Sequence, residues 1–123
     1  MKLQADARFA VHAISAHGPG YVTVGNQRIT RTCLLRPDGI DATWGPDNFA
    51  NLTEEHFAAL AAVECDVLLL GTGGHQHFPT PAQMRPLLEA RRGIEVMSTA
   101  AACRTYNVVL AEGRIVAAAL FVE

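Results

Sequence analysis

The sequence predicts an α/β domain, and two patterns along the chain carry this prediction. In the second half, two short apolar runs, 66–71 and 94–97, flank a helical segment. This is the pattern of a β-α-β unit whose strands are covered on both faces. In the first half, short apolar stretches separated by glycine and proline turns predict an antiparallel β-meander. The length of 123 residues fits one domain, 1–123, and half of the residues are hydrophobic, which is enough for a core.

The composition excludes several classes of protein. The net charge is −2, and nine of the ten basic residues are scattered arginines, so we expect no nucleic-acid binding. Cys33, Cys65 and Cys103 form no metal-type pair, and we interpret them as reduced thiols. The N-terminus has no signal-peptide pattern, and no apolar run approaches membrane-spanning length. We therefore expect a cytoplasmic protein without membrane insertion.

The predicted meander consists of three strands and the turns between them. A glycine-proline cluster at 17–20 precedes a strand at 21–24, and a tight turn leads into a longer strand at 28–35. Proline and glycine at 36–39 stand where a hairpin turn requires them, and the strand at 40–44 completes the meander.

The second half begins with a helix that Thr53 is expected to cap. The buried strand 66–71 follows, and a second helix opens near Thr80. Because Pro86 lies within that helix, we expect the helix to be kinked or to start late. The strand 94–97 then lies parallel to 66–71 through a right-handed crossover.

The C-terminal segment is predicted to contain a short helix and a hairpin. The helix covers 99–106, and the strands 108–111 and 114–121 pair about a Glu-Gly turn at 112–113. The apolar run 117–122 is then expected to offer a sheet edge, through which two copies of the chain pair as a homo-oligomer.

Several stretches of the chain resemble a known family. They are LLLGTG at 68–73, GIEVM at 93–97 and ACRTYNVVLAEG at 102–113, with weaker similarity at 20–24 and 52–55. These residues are similar to the NADH:ubiquinone oxidoreductase complex assembly factor 3-like family, a family of small domains of unknown biochemical function. The resemblance covers nearly the whole chain.

The resemblance implies a more detailed fold and a type of function. The implied fold is a three-layer α/β domain with a central mixed sheet, helices packed against it and the N-terminal β-meander alongside. No catalytic mechanism is implied. The mitochondrial member suggests help in assembling a membrane-associated complex through protein contacts. Residues 98–100 depart from the pattern of many relatives, which have an acidic residue followed by Thr-Gly, so the helix here is capped differently.

A candidate ligand site follows from the two loops that leave the parallel strands. Loops 71–78 and 98–100 are expected to meet at the carboxyl edge, where open α/β sheets bind ligands. Backbone amides and a helix N-terminus favour an anion there, and the guanidinium of Arg104 is expected to project towards them. The hypothetical site consists of Gly71, Thr72, Gly73, Gly74, Ser98, Thr99, Arg104, Tyr106 and Asn107. The alternative is structural: the glycines permit a sharp turn, and Arg104 binds a carboxylate or loop carbonyls.

Catalytic and metal sites have less support in the sequence. Cys103 is a candidate nucleophile with His75 as its base, but a small buried thiol is the commoner fate of a free cysteine. We therefore expect Cys103 to be mostly buried and slow to react. His75 and His77 make an incomplete metal site, because no third ligand has suitable spacing. No catalytic residue, metal or cofactor is predicted.

Three functions from different classes remain after these considerations. The first is a non-enzymatic binding or assembly protein with a protein partner, which the resemblance and the incomplete catalytic set favour. The alternative is a small enzyme or sensor for an anionic metabolite that uses the loop 71–74 and Arg104. A homo-oligomeric structural domain is a third interpretation.

Overall fold

A computed structural model describes residues 12–122. Residues 1–11 and 123 of the predicted domain lie outside the described part. The strands are β1 (Ile14–Gly18), β2 (Tyr21–Val24), β3 (Gln27–Ile29), β4 (Cys33–Arg36), β5 (Gly39–Asp41), β6 (Val67–Gly71), β7 (Glu95–Met97) and β8 (Val116–Leu120). The helices are α1 (Glu54–Ala61), α2 (Arg85–Glu89) and α3 (Thr99–Ala111), and a short 3-10 helix covers Phe49–Asn51.

The strands form two sheets. The first is antiparallel, with the order β1-β2-β3. The second is mixed, with the order β5-β4-β8-β6-β7. In this sheet β8 runs antiparallel to β4 and parallel to β6, and β6 runs parallel to β7. The central mixed sheet, the N-terminal antiparallel meander and the β-α-β unit are thus confirmed.

The two helical crossovers run in opposite directions along the mixed sheet. The connection through α2 leads from β6 outward to β7, and the connection through α3 returns past β6 to β8. Right-handed crossovers in opposite directions place their helices on opposite faces of the sheet. Accordingly, α2 packs with α1 on one face, and α3 packs on β6 and β8 on the other face.

Alternation along the central strands separates two cores. Leu68 and Leu70 of β6 belong to the core beneath α1 and α2. Leu69 faces the other way, into the core shared by α3 and the three-stranded sheet. The alanines 117–119 of β8 are fully buried, and their small side chains leave room for packed elements on both faces. The result is the three-layer arrangement that the resemblance implied.

The predicted C-terminal hairpin is wrong. Residues 108–111, expected to be a strand, continue α3, which runs without interruption from Thr99 to Ala111. The buried positions of α3 are spaced as one face of a helix, and tertiary packing on that face decides the conformation. They are Thr99, Ala102, Cys103, Tyr106, Val109 and Leu110.

The expectation that 117–122 supplies a free sheet edge is also wrong. Strand β8 lies in the middle of the mixed sheet, with β4 on one side and β6 on the other. Its backbone groups are therefore used within the chain, and the run is apolar because both of its faces are covered.

Three other elements have different bounds from those predicted. The strand expected at 40–44 is β5 (Gly39–Asp41), and it pairs with β4 in the mixed sheet instead of completing the meander. The strand expected at 28–35 is divided into β3 and β4, because residues 30–32 pass between the two sheets. The helix expected from Thr80 begins only at Arg85, with Pro86 in its first turn. A proline is tolerated there because the missing N–H would have no partner within the helix.

Candidate functional site

The glycine loop after β6 is fixed to the start of α3 by the side chain of Thr99. The Thr99 hydroxyl donates to the carbonyl of Phe121 at 2.5 Å and accepts from the backbone N–H of Gly73 at 2.7 Å. The backbone N–H of Thr99 donates to the carbonyl of Gly73 at 2.9 Å. Because Thr99 is 8% exposed, these bonds lie largely away from water. The loop and the helix start thus form one rigid unit.

Gly71 allows this unit to form, since its position has no room for a side chain. A Cβ atom there would lie 2.9 Å from Cδ2 of Leu120 and 3.0 Å from the Cα atom of Thr99. Gly71 therefore has a packing role, which differs from the sharp turn that was the structural alternative for the glycines.

The rest of the loop is held by Thr72 and Gln76. The buried Thr72 hydroxyl donates to the carbonyl of His75 at 2.6 Å and accepts from the N–H of His77 at 3.0 Å. The amide of Gln76 donates to the carbonyl of Val96 at 3.0 Å, on the edge strand β7. These bonds give the loop a defined shape and leave His75 and the backbone of Gly74 at the surface.

A cavity of about 470 Å³ lies beside the loop at the carboxyl ends of the parallel strands. Its walls come from the turn between β1 and β2, the glycine loop, the first turn of α3 and the residue after β8. The turn is tied to the end of the mixed sheet, because the N–H of Gly20 donates to the carbonyl of Val122. The lining residues are His17, Gly18, Pro19, Gly73, Gly74, His75, Thr99, Ala100 and Val122.

The predicted site residues are only partly brought together. Gly73, Gly74 and Thr99 line the cavity, whereas Gly71 and Thr72 lie buried outside its lining. Ser98 is the N-cap of α3, and its hydroxyl accepts from the N–H of Ala101 at 3.3 Å.

Arg104 does not converge on the glycine loop as expected. It follows Thr99 by five residues, which places it about 140° around the helix. Its side chain is exposed, does not line the cavity and forms no hydrogen bond or ion pair with residues 12–122.

Tyr106 and Asn107 also lie away from the cavity. Tyr106 is 3% exposed and borders smaller recesses near Arg36 at the other end of the mixed sheet. The Asn107 side chain binds the backbone of Ile14. Asn107 therefore satisfies backbone groups of β1 and does not contribute to the cavity.

Four lining residues lie outside the two loops that were predicted to form the site: His17, Gly18, Pro19 and Val122. His17 and Pro19 stand in a cluster that the sequence marks only as a turn, and Val122 belongs to an apolar run. Their position depends on the packing of the first sheet against the end of the second. A hydrogen bond between Gly20 and Val122 joins the two sheets there, and its partners are 102 residues apart in the sequence, so local patterns do not reveal it.

The buried thiols have the environment of core residues. Cys103 is 1% exposed, as expected, and burial raises its pKa to about 11. Burial also raises the pKa of Cys33, to about 12, against a smaller opposing effect of the Arg31 charge. His75 lines the cavity, but Cys103 does not. Within residues 12–122 no three His, Cys, Asp or Glu side chains are placed to hold a metal ion.

Comparison with known proteins identifies the family. The profile described as "Protein of unknown function (DUF498/DUF598)" matches residues 14–121. The chain therefore belongs to the DUF498/DUF598 family. In the described part of the chain, no helix is both long and apolar enough to span a membrane.

Individual relatives agree with this assignment. The assembly factor 3 of the NADH dehydrogenase (ubiquinone) 1 alpha subcomplex from Bos taurus is 30% identical over 120 residues, which cover 96% of this chain. The match spans 64% of the length of that relative. An uncharacterized protein of Rhodobacter capsulatus is 38% identical over 87% of this chain and 82% of its own length.

A solved structure supports the fold. A crystal structure from Bordetella parapertussis superimposes with a TM-score of 0.82 at 38% identity, covering 92% of this chain and 97% of that one. The three-layer architecture with its N-terminal meander is therefore that of a structurally characterised group.

Proposed function

We propose that this chain is a non-enzymatic, protein-binding factor that assists the assembly of a membrane-associated NADH dehydrogenase. The observation that carries the proposal is the similarity to the Bos taurus assembly factor, which extends over 96% of this chain. The match covers about two thirds of that relative and nearly all of the fold described above. The two proteins therefore share the layered α/β fold and not only a short motif.

The chemistry of the described residues is consistent with a binding role. Burial keeps the thiols of Cys33 and Cys103 protonated at neutral pH, and a protonated thiol is a poor nucleophile. Binding to a protein requires only a suitable surface. We place the action of this chain on the cytoplasmic side of the membrane, which cell fractionation tests directly.

The contact surface that we propose lies on the connection between β6 and β7. Phe78, in the loop before α2, is 71% exposed, and Leu88 on α2 is 60% exposed. Binding of a partner would remove these large apolar side chains from contact with water, which is favourable. Aromatic residues are also frequent anchors of interfaces. Both residues lie on the α2 side of the mixed sheet. Val108 on α3 is similarly exposed, at 58%, but belongs to the opposite face.

Affinity capture from the organism that carries this chain tests the proposal. We expect tagged parent protein to retain subunits of NADH dehydrogenase, and the double variant Phe78→Ser/Leu88→Ser to lose them. Val108→Ser is the matched control and should retain them. Deletion of the gene should lower the amount of assembled NADH dehydrogenase on native gels. Capture without any such subunit, together with unchanged enzyme levels after deletion, would contradict the proposal.

A further inference from the structure

We propose that the cavity between the β1–β2 turn and the start of α3 binds a small organic carboxylate. This inference goes beyond the assembly role and does not depend on it. It rests on where the cavity lies, on which donors line it and on which charged side chains its described walls lack.

The cavity lies where the topology of the sheet leaves a crevice. The loop after β6 leads to α2 on one face, and the segment after β7 leads to α3 on the other face. When the connections after two neighbouring parallel strands go to opposite faces of the sheet, they leave a crevice at the carboxyl ends of the strands. This crevice is the usual ligand-binding position of open α/β sheets. The volume of about 470 Å³ also falls within the range of roughly 300–1,000 Å³ that small-molecule sites occupy.

Several lining residues carry hydrogen-bond donors. His17 and His75 line the cavity, and a neutral imidazole carries one N–H beside its acceptor nitrogen. The backbone N–H of Ala100, in the first turn of α3, finds no acceptor among residues 12–122, because the Ser98 hydroxyl binds the next N–H, that of Ala101. Two imidazoles and a free amide on the same cavity favour an oxygen acceptor.

Charge and shape restrict the ligand further. None of the nine described lining residues is acidic, so a cation gains nothing there. None is lysine or arginine, so the walls do not offer the multiple charges that a polyphosphate requires. Pro19, Ala100 and Val122 contribute apolar surface. A single carboxylate on an apolar body matches these walls.

Three probes of nearly the same shape and different charge test this assignment: phenylacetate, phenylacetamide and phenethylammonium. Each is titrated into labelled protein while the backbone amide signals are followed by NMR. We expect phenylacetate to shift the signals of Gly73, Gly74 and Ala100 in a saturable way, with binding at least about tenfold tighter than that of the other two probes.

Two sets of variants establish that binding occurs in the cavity. A Cβ at Gly74 meets nothing within 4 Å, and the same holds for Gly93, which lies outside the cavity lining. Gly74→Leu should therefore fold and obstruct the cavity, whereas Gly93→Leu is the matched control and should bind like the parent. His17→Ala and His75→Ala should each weaken phenylacetate by about tenfold.

Three results would overturn the proposal. The first is the absence of saturable shifts at the cavity with every probe. The second is equal binding of the three probes, which would show that the carboxylate is not recognised. The third is binding of a peptide with a free C-terminal carboxylate without any binding of phenylacetate, which would identify the cavity as a protein-docking site.

Discussion

Asn107 binds both backbone polar groups of Ile14 through its side-chain amide. Its Nδ2 donates to the carbonyl of Ile14 at 2.8 Å, and its Oδ1 accepts from the N–H of Ile14 at 2.8 Å. The two residues are 93 positions apart and join α3 to β1. The edge of the three-stranded sheet is thereby attached to the helix that covers the mixed sheet.

Loss of this pair of bonds should loosen the first sheet from the rest of the domain. We expect Asn107→Ala to lower the free energy of unfolding by about 1–3 kcal/mol, because two partly buried backbone groups lose their partner. Asn107→Asp keeps the acceptor but sets a carboxylate oxygen against the carbonyl oxygen of Ile14, so it should be no more stable than the alanine variant. Urea denaturation measures both variants. Amide hydrogen exchange should quicken first in β1, and an unchanged exchange rate there would contradict this role.

The elements that sequence predicted well are those whose local signals agree with their packing. The apolar run of β6 and the capping threonine before α1 each have one consistent interpretation. The segment 108–111 does not. Its valines and leucine suit a strand by propensity, but Val109 and Leu110 complete the buried face of α3 and so are helical. Packing across layers overrides propensity there, and a single sequence contains no direct signal of that packing.

The same limit applies to the candidate site. Loops at the carboxyl ends of β6 and β7 were predictable, because parallel strands place their ends together, and Gly73, Gly74 and Thr99 do line the cavity. The spacing on α3 fixes the angle between Arg104 and Thr99, but the rotation of α3 against the sheet decides which of the two faces the loop. The position of His17 depends on how the first sheet packs. Neither the rotation of α3 nor the packing of the first sheet is encoded by residue spacing within one element.

The substitution of threonine by valine can be compared at two buried positions, Thr99 and Thr32, that differ in their hydrogen bonding. The Thr99 hydroxyl makes two hydrogen bonds, whereas the Thr32 hydroxyl is buried and makes none with residues 12–122. Thr99→Val should lower the free energy of unfolding by about 1–3 kcal/mol, because the Gly73 N–H and the Phe121 carbonyl lose their partner. Thr32→Val removes an unsatisfied group at nearly constant shape and should be neutral or stabilising.

Thermal melting of the two variants and of Thr99→Ser, which keeps the hydroxyl, tests this pair. The serine variant should retain most of the stability that the valine variant loses. Equal melting temperatures for Thr99→Val and Thr32→Val would show that the Thr99 hydrogen bonds contribute little.

The three thiols should differ in their reactivity. Cys33 and Cys103 are 0% and 1% exposed, whereas Cys65 is half-buried, with the Arg92 guanidinium 3.2 Å from its sulfur. Burial raises the pKa of all three, but Arg92 opposes this effect at Cys65. We expect native protein to label first at Cys65, and Cys33 and Cys103 to label only on unfolding. Mass mapping of the labelled peptides measures this order. Early labelling of Cys103 would contradict the prediction and revive its role as a nucleophile.

The buried thiols should also make the fold sensitive to alkali. Their pKa values rise from 9.0 to about 12 for Cys33 and about 11 for Cys103. Between these limits the unfolded chain loses thiol protons that the folded chain keeps, so the free energy of unfolding falls as the pH rises above about 9. When the free energy of unfolding is measured by denaturation at several pH values in this window, it should fall less steeply with pH for Cys33→Ala/Cys103→Ala than for the parent. Equal slopes for the two proteins would contradict the raised pKa values of the two thiols.

His56 occupies the position that glutamate or glutamine usually takes in a capping box at the start of α1. Its Nδ1 accepts from the N–H of Thr53 at 3.0 Å, and its carbonyl accepts from the indole N–H of Trp44 at 3.1 Å. The first bond requires an unprotonated Nδ1, since an imidazolium has no acceptor. We expect His56→Ala to cost about 0.5–2 kcal/mol of stability, the usual contribution of a cap.

His56→Gln restores an acceptor that does not titrate, so it should recover most of this loss. Chemical denaturation followed by the fluorescence of Trp44, the only tryptophan, reports on this corner of the fold. If His56→Gln is no more stable than His56→Ala, the Thr53–His56 bond does not hold the start of α1.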